Sequence, residues 1–218
     1  MLSAHNLTLT FNHGTPIETR ALRGMTLEIP AGQFVTVIGS NGAGKSTFLN
    51  AISGDQAIDG GRITIDGSDV TNQPVWARSE RVARVFQDPM AGTCEDLTIE
   101  ENMALAQQRG TRRGLRSAVK ASLRSTFRER LATLGLGLEN RLTDRIGLLS
   151  GGQRQAVSLL MAALQPSRIL LLDEHTAALD PRTAEFVLQL TARIVQENQL
   201  TTMMVTHSMR QALDVGER

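Results

Sequence analysis

Cysteine and aromatic residues are scarce in this chain. Its 218 residues include one cysteine, one tryptophan, six phenylalanines and no tyrosine. The single cysteine, Cys94, excludes a framework of disulfides and a zinc site built from cysteines, and it fits a reducing compartment. Few rings are available to contact a ligand, and we interpret Trp76 as a packing residue.

Long apolar runs and an excess of one charge are also missing. No segment approaches the roughly 18 apolar residues that a membrane-spanning helix needs, and the first residues do not resemble a secretory signal. Lys and Arg number 23 against 22 Asp and Glu, so the chain has no general attraction to nucleic acid or to an anionic membrane. We therefore expect a cytoplasmic protein without a nucleic-acid partner, whose membrane contact comes through another subunit.

Short patterned segments predict one α/β core with a small additional subdomain, which the length allows. Alternating or apolar segments predict strands at residues 7–11, 25–29, 33–38, 62–65, 84–86, 169–172 and 202–205. Start signals predict helices from Ser150, from Pro181 with Asp180 as N-cap, and after His207.

The segment from Thr98 to Gly147 has a different character. Apolar residues recur there at steps that are mostly multiples of three or four, which predicts a helix over Leu115, Val119, Phe127, Leu131 and Leu134. Residues 109–130 are strongly basic, with Glu129 as the one acid. We interpret them as a solvated helix face; the alternative is contact with lipid headgroups or with a helix of a membrane partner. Helices inserted between α/β elements predict two lobes rather than two independent domains.

A glycine-rich loop follows the predicted strand at 33–38. Residues 39–46 read GSNGAGKS and fit G-x-x-x-x-G-K-[ST] between a strand and a helix. In such a loop the backbone amides wrap phosphates, the lysine neutralises the β- and γ-oxygens, and the final hydroxyl ligates Mg²⁺. We expect a nucleoside triphosphate here, with Lys45 and Ser46 in these two roles; a glycine-rich turn with a chance Lys-Ser is the alternative.

Two acids end the apolar strand at 169–172. Asp173 is placed to ligate Mg²⁺, as the strand-end carboxylate of P-loop NTPases does. Glu174, one residue further, can orient or deprotonate an attacking water. A core strand ending in exposed acids is the simpler alternative, but a phosphate loop needs such a partner.

Residues 148–156, LLSGGQRQA, look like a second phosphate-binding helix start. Ser150 is a good N-cap, and the two glycines after it leave backbone amides open to a close anion. The chain carries no arginine-finger motif, and the start of this helix in a second copy is a candidate for capping the γ-phosphate.

Together these motifs resemble the nucleotide-binding subunit of ATP-binding-cassette (ABC) transporters, over essentially the whole chain. The resemblance implies an α/β P-loop NTPase core, with a mixed sheet flanked by helices, an antiparallel β subdomain and an inserted helical subdomain. Residues 1–218 then form a single ABC ATPase domain. Its catalytic core spans 1–90 and 148–218, and its mainly helical signature subdomain spans 91–147.

The resemblance also implies roles for individual residues. Gln87 matches the glutamine that reaches Mg²⁺ and senses the membrane subunit. His207 matches the histidine that contacts the γ-phosphate, and Phe11 matches an aromatic residue that stacks on adenine. The implied catalytic residues are Glu174, His207, Gln87 and Lys45, and the implied metal ligands are Ser46, Gln87 and Asp173. The implied nucleotide-binding residues are Phe11, Gly39, Ser40, Asn41, Gly42, Ala43, Gly44, Lys45, Ser46, Thr47, the signature residues Ser150, Gly151, Gly152 and Gln153, and the D-loop residue Asp180.

The implied activity is hydrolysis of ATP with Mg²⁺, coupled to closure of two cassettes and to movement of a solute, by import, across the membrane. The implied partners are a second cassette, membrane-spanning permease subunits and a solute-binding protein, at the inner face of the plasma membrane. The stretch Ala91-Gly92-Thr93 and the variant Asp173-Glu174-His175-Thr176 resemble those of cassettes from tryptophan- and tyrosine-type amino-acid importers. A soluble ABC-type ATPase of DNA repair or translation, and a module that binds ATP without turnover, are the alternatives.

Two features depart from the family pattern. His175 stands where the family usually has proline, which alters the turn after Glu174 and places a titratable ring near the site. The chain stops eleven residues after His207, where family members generally continue through further strands, so we expect a truncated C-terminus.

Overall fold

Three strands open the chain, and α-helices follow one another between Val85 and Ile169. The structure is a computed structural model that describes residues 1–40, 42–111 and 118–215. The strands are β1 (Leu2–Phe11), β2 (Thr19–Ile29), β3 (Phe34–Ile38), β4 (Gly60–Ile65), β5 (Ser68–Asp69), β6 (Val82–Val85), β7 (Ile169–Asp173) and β8 (Thr201–Thr206). The helices are α1 (Lys45–Ser53), α2 (Val75–Arg78), α3 (Ile99–Gln107), α4 (Ala121–Ala132), α5 (Gly151–Ala163), α6 (Pro181–Asn198) and α7 (Met209–Val215). Among the described residues, no helix is both long enough and apolar enough to cross a membrane.

The chain divides into two compact units. The first unit consists of Met1–Ala83, Ser167–Glu174 and Gln199–Arg218, and the second of Arg84–Pro166 and His175–Asn198. The predicted limits of the helical subdomain, 91–147, stay a prediction.

Two four-stranded sheets carry the first unit. One is antiparallel around β1, in the order β2-β1-β4-β5, and the other has the order β3-β8-β7-β6. In the second sheet β8 pairs in parallel with β3 and with β7. Every residue of β7 and β8 is buried, as expected for interior parallel strands covered on both faces. The predicted α/β fold with an antiparallel β subdomain is confirmed, although the strand predicted at 84–86 lies at Val82–Val85.

Helices form the second unit, and local caps fix where two of them begin. Thr98 and Glu101 form a capping box at the start of α3, and Ser150 and Gln153 form another at the start of α5. Each box satisfies two backbone N–H groups that the first helical turn leaves without partners. The observed helix α4 spans Ala121–Ala132 and is therefore shorter than the helix predicted from the apolar pattern. Leu115, the first residue of that pattern, lies outside the described residues.

Two basic residues in this unit have partners within it, and one of them is not part of a solvated face. Arg109 donates hydrogen bonds to the carbonyl oxygens of Ala162 (3.2 Å) and Gln165 (2.9 Å). Arg124 makes two contacts of 2.7 Å with the carboxylate of Glu100, which is buried. The interpretation of residues 109–130 as a solvated face is therefore wrong at Arg109, whose guanidinium joins one helix to another segment. Arg124 is exposed on α4 and pairs with Glu100 from that face. Residues 112–117 lie outside the described residues.

Trp76 does not pack into a core. Its side chain is 74% exposed on α2. A helix of four residues presents few faces, and the side of α2 that is buried belongs to Arg78. The predicted packing role of Trp76 is therefore wrong.

A buried arginine joins the C-terminal end of α1 to the segment that follows β5. The Arg78 guanidinium donates to the carbonyl oxygens of Ala51 (2.5 Å) and Ile52 (3.0 Å), in the last turn of α1. It also donates to those of Thr71 (2.8 Å) and Gln73 (2.9 Å). The last carbonyls of a helix have no partner within the helix, so Arg78 satisfies acceptors that would otherwise be buried without one. It thereby supports the helix that begins at Lys45.

We expect Arg78→Met to lower the free energy of unfolding by about 3 kcal/mol, because it leaves several buried carbonyl groups without donors. Urea denaturation followed by circular dichroism measures the change. Arg62→Met is the matched control, since Arg62 is exposed and only pairs with Asp69 at the surface (3.0 Å), an interaction worth about 1 kcal/mol or less. Equal effects of the two substitutions would contradict this role for Arg78.

Candidate nucleotide-binding site

The glycine-rich loop between β3 and α1 needs glycine at its last turn. Gly44 has a left-handed backbone, with φ of 84°, and a Cβ at this position would lie 2.5 Å from the carbonyl oxygen of Ala21. Any other residue would therefore be strained and would collide with β2. The next residue, Lys45, folds back over the loop and donates from Nζ to the carbonyl oxygens of Gly39 (2.8 Å) and Ser40 (3.0 Å).

A hydroxyl and a carboxylate meet beside this loop. Ser46 Oγ, on the first turn of α1, lies 3.4 Å from Asp173 Oδ1 at the end of β7. Among the described residues, no three His, Cys, Asp or Glu side chains are grouped so that they could hold a metal alone. Mg²⁺ usually takes one or two protein oxygens and completes its shell with phosphate oxygens and water. The Ser46–Asp173 pair fits an ion of that kind.

Glu174 has a constrained backbone and a histidine beside it. Its φ is 44°, which is uncommon for a residue other than glycine and is found at functional sites. Its N–H donates to the carbonyl oxygen of Val205 (3.0 Å), which fixes it to β8. Its Oε2 lies 3.4 Å from Nδ1 of His207, and the two side chains are 17% and 60% exposed. Both polar groups can therefore contact a ligand from solvent.

Three parallel strands bring these groups together. The loop follows the carboxyl end of β3, Asp173 and Glu174 lie at that end of β7, and His207 follows β8. Because β8 lies between β3 and β7, all three ends meet at one edge of the sheet. Ligands of open α/β sheets bind at this edge, so the first unit has a site suited to phosphate groups and a divalent cation.

The second unit presents the other predicted phosphate site, at the start of α5. Ser150 Oγ accepts a hydrogen bond from Gln153 N (3.3 Å), and Gln153 Oε1 accepts one from Ser150 N (3.2 Å). Gly151 is exposed, and a Cβ on it would make an ordinary contact of 3.6 Å with Leu179 Cδ2. Gly152 is buried, and a Cβ on it would overlap Thr183 Cγ2. The signature turn is therefore packed against the start of α6 and the residues before it.

Asp180 caps α6 in the same unit, as predicted from its position before Pro181. Its Oδ1 accepts a hydrogen bond from Thr183 N (3.2 Å). Hydrogen bonds from the side chain and the backbone of Thr183 lower the pKa of Asp180. The carboxylate therefore stays ionised at neutral pH and stabilises the N-terminus of α6.

His175 is buried and bound to α6. Its Nε2 lies 3.0 Å from Thr191 Oγ1, which itself donates to the carbonyl oxygen of Val187 (2.8 Å). Burial lowers the pKa of His175 to about 4, so the ring is uncharged at physiological pH. The expectation of a titratable ring near the site is therefore corrected: at neutral pH this histidine is a neutral hydrogen-bonding group inside the second unit.

Three further residues of the predicted site are Phe11, Gln87 and Asn41. Phe11 ends β1 and packs partly against the core of the first unit. Gln87 lies exposed just after β6, in the second unit. Asn41 lies outside the described residues. The roles predicted for these three residues stay predictions.

Thr183 and Thr191 escaped the sequence analysis, although both contact residues of the candidate site. Thr191 lies 16 residues after His175, and no motif connects positions that far apart. Thr183 follows Pro181 as an ordinary residue of the first helical turn. The one feature of the sequence that could have pointed to Thr191 is the unusual histidine at position 175. A histidine there suggests a hydrogen-bonding partner, but the sequence does not show which residue that partner is.

The phosphate loop, the Ser46–Asp173 pair and the acid at the sheet edge define a P-loop nucleoside triphosphatase. The ABC transporter family model matches residues 22–177. A tyrosine transport ATP-binding protein of Clostridioides difficile is 42% identical over 218 residues, which are 100% of this chain and 86% of that protein. A sulfate/thiosulfate import ATP-binding protein of Nocardia farcinica is 35% identical over 91% of this chain and 56% of its own length.

Solved structures that are similar to this chain are also ABC cassettes. A dimeric bacterial ABC transporter cassette has a TM-score of 0.83 at 30% identity, over 100% of this chain and 92% of that chain. A dimeric ATP-binding cassette in a post-hydrolysis state with ADP and Pi has a TM-score of 0.81 at 30% identity, over 97% and 90% of the two chains. This chain belongs to the ABC transporter family. The predicted family and ATPase activity are confirmed.

The two signature glycines should respond differently to a methyl group. We expect Gly152→Ala to lower the free energy of unfolding by about 2 kcal/mol, because its Cβ overlaps Thr183 and overpacked sites must shift. Gly151→Ala is the matched control and should change stability by less than about 0.5 kcal/mol. Thermal denaturation compares them, and Thr183→Ser, which removes the overlapping methyl, should restore much of the stability of Gly152→Ala. Failure of this rescue would contradict the packing account.

Burial of His175 should make stability depend on pH. The pKa of this histidine is about 4 in the folded chain against 6.5 for the free group. As pH falls from 6.5 to 4 the unfolded chain binds a proton that the folded chain does not, so about 3 kcal/mol of stability, complete above pH 6.5, is lost. Urea denaturation at several pH values should show a shallower loss for His175→Leu, with His5→Leu as the exposed-histidine control. Equal slopes for His175→Leu and the unchanged chain would exclude this contribution.

Proposed function

We propose that this chain hydrolyses ATP at the edge formed by β3, β8 and β7, and that hydrolysis drives solute import through membrane-spanning partners. The observation that carries the proposal is the grouping of five polar side chains at this edge. Lys45 donates to the loop, Ser46 lies beside Asp173, and Glu174 lies beside His207. These groups supply a phosphate cradle, ligands for a cation, and an acid beside the phosphate loop. Hydrolysis is an in-line phosphoryl transfer, which depends mainly on positioning and charge stabilisation.

Each group has a proposed role in the reaction. The amides of residues 42–47 and the Lys45 ammonium bind the phosphates, and Ser46 and Asp173 would hold the cation. Mg²⁺, when bound there, neutralises charge on the β- and γ-oxygens. Glu174 accepts a proton from the attacking water or orients it. His207 contacts the γ-phosphate beside Glu174, and Phe11 lies against the adenine ring.

The signature turn is proposed to act on the nucleotide of a second copy. The N-terminal amides and the positive dipole end of α5 suit a γ-phosphate, and this turn would supply the charge that an arginine finger gives in other P-loop enzymes. Two copies arranged head to tail about a two-fold axis would then share two nucleotide sites. The dimeric cassettes to which the chain is similar support the formation of a dimer.

The proposed partners are permease subunits and a solute-binding protein, which would hold the cassette at the inner face of the plasma membrane. The tyrosine transport relative supports an amino acid as the solute, although the solute itself contacts other subunits. Stimulation of ATP hydrolysis in the reconstituted transporter by tyrosine, and not by sulfate, is the measurement that tests the solute class. No observation of this structure favours DNA repair or translation.

We expect Glu174→Gln to form an ATP-dependent dimer, because it keeps the nucleotide bound while removing the group that activates water. Gel filtration with ATP and Mg²⁺ should show a particle of twice the mass, and phosphate release should fall by about a hundredfold or more, the range for loss of a general base. Ser150→Arg in the same background should abolish the dimer, since its bulk and charge occupy the proposed half-site.

Ser122→Arg is the control for an added arginine, because Ser122 is exposed on α4 and lies outside every predicted motif in the sequence. It should leave the dimer intact. An unmodified chain that hydrolyses ATP at its full rate as a monomer would contradict the shared site, and the roles proposed for the signature residues would fall with it.

A further inference from the structure

We propose that His175 is a positioning residue. Its hydrogen bond to Thr191 holds the segment His175–Asp180 (the D-loop segment) on α6, and this segment in turn supports the signature turn that begins at Ser150. The role rests on the proposed function, in which that turn completes the nucleotide site of a second copy. His175 would therefore act on the partner's nucleotide rather than on the nucleotide bound by its own chain.

Both ends of the D-loop segment are tied to the same helix. His175 contacts Thr191 in the middle of α6, and Asp180 accepts a hydrogen bond from Thr183 in its first turn. Between them the chain makes one turn, in which Leu179 N donates to the carbonyl oxygen of Thr176 (3.2 Å). With both ends fixed, the segment has little freedom to shift along α6.

The D-loop segment and α6 form the surface on which the signature glycines lie. Thr183, whose N–H donates to Asp180 at the end of the segment, fills the space beside Gly152, and Leu179 Cδ2 lies 3.6 Å from the place that a Cβ on Gly151 would take. Close-packed groups transmit a displacement because there is no void to absorb it. A shift of Asp180 therefore moves Thr183 against Gly152 and changes the position of the first turn of α5, whose amides are proposed to face the γ-phosphate.

The direction of the hydrogen bond shows which substitutions keep it. The hydroxyl of Thr191 has one proton, and that proton is donated to the carbonyl oxygen of Val187. Thr191 Oγ1 can therefore only accept from His175, so the neutral ring carries its proton on Nε2. Glutamine offers an amide donor at a similar reach, whereas leucine fills similar volume without one.

The test measures dimer formation in the Glu174→Gln background, so that catalysis by Glu174 is removed from the comparison. We expect His175→Leu to weaken the ATP-dependent dimer about tenfold, the upper range for one lost neutral hydrogen bond, as measured by analytical ultracentrifugation. His175→Gln should restore it to within about threefold. Thr191→Val removes the acceptor instead, and the double variant His175→Leu/Thr191→Val should be no weaker than either single one.

A second measurement separates the partner's site from the chain's own site. In the Ser150→Arg chain, which is expected to stay monomeric, His175→Leu should leave the affinity for a fluorescent ATP analogue unchanged. An unchanged dimer in His175→Leu, or an equal loss of nucleotide affinity in the monomer, would overturn the positioning role. If Glu174→Gln itself forms no dimer, the proposed function fails first, and this role fails with it.

Folding is checked independently by thermal denaturation at neutral pH. His175→Leu leaves Thr191 bonded to Val187, so no buried group loses its partner, and the melting temperature should change little. A large loss of stability in His175→Leu with a normal dimer in Thr191→Val would also overturn the proposal, since the hydrogen bond would then have only a structural effect.

Discussion

The parallel pairing of β3, β8 and β7 is the constraint on which the rest of the nucleotide site depends. Ile38 pairs with Thr206, and Asp173 pairs with Val205. The loop that begins after Ile38, the histidine after Thr206 and the two acids therefore lie at nearly the same level. A slip of one residue would turn Asp173 to the opposite face of the sheet. Close packing of the buried side chains of β7 and β8 opposes such a slip, so the core fixes the distance between Ser46 and Asp173.

The sequence predicts the sheet edge well because each of its motifs is local. Glycines at fixed intervals followed by Lys45 and Ser46 need only the strand before them and the helix after them. An apolar run that ends in Asp173 and Glu174 likewise defines its own strand. Parallel strands carry their loops at the same edge, so local predictions were enough to place these groups together. The start of α5 was equally readable, since a capping box involves residues three positions apart.

Contacts between distant residues could not be predicted in this way. Burial of His175 depends on Thr191, and the role of Arg109 depends on carbonyl groups that end α5 and follow it. Hydropathy and charge describe a side chain by itself, which suggested a solvated arginine and a titratable histidine. The fold gives both residues polar partners inside the second unit, and a buried group with partners behaves differently from the free one. Trp76 shows the converse, because an apolar ring was expected to be buried and α2 is too short to cover it.

The two signature glycines show how packing and ligand binding can be told apart. Gly152 must be glycine for a reason inside the chain, since Thr183 occupies the space of a side chain. Its identity alone is therefore weak support for a phosphate. Gly151 has no such reason: a Cβ would make an ordinary contact with Leu179, and its φ is not left-handed. Because Gly151 is exposed and has no side chain, a ligand can approach its backbone closely. Gly151 lies at the N-terminal end of a capped helix, where an anion is favoured. Gly151, more than Gly152, is therefore the residue that supports the proposed contact of this turn with the phosphate of a second copy.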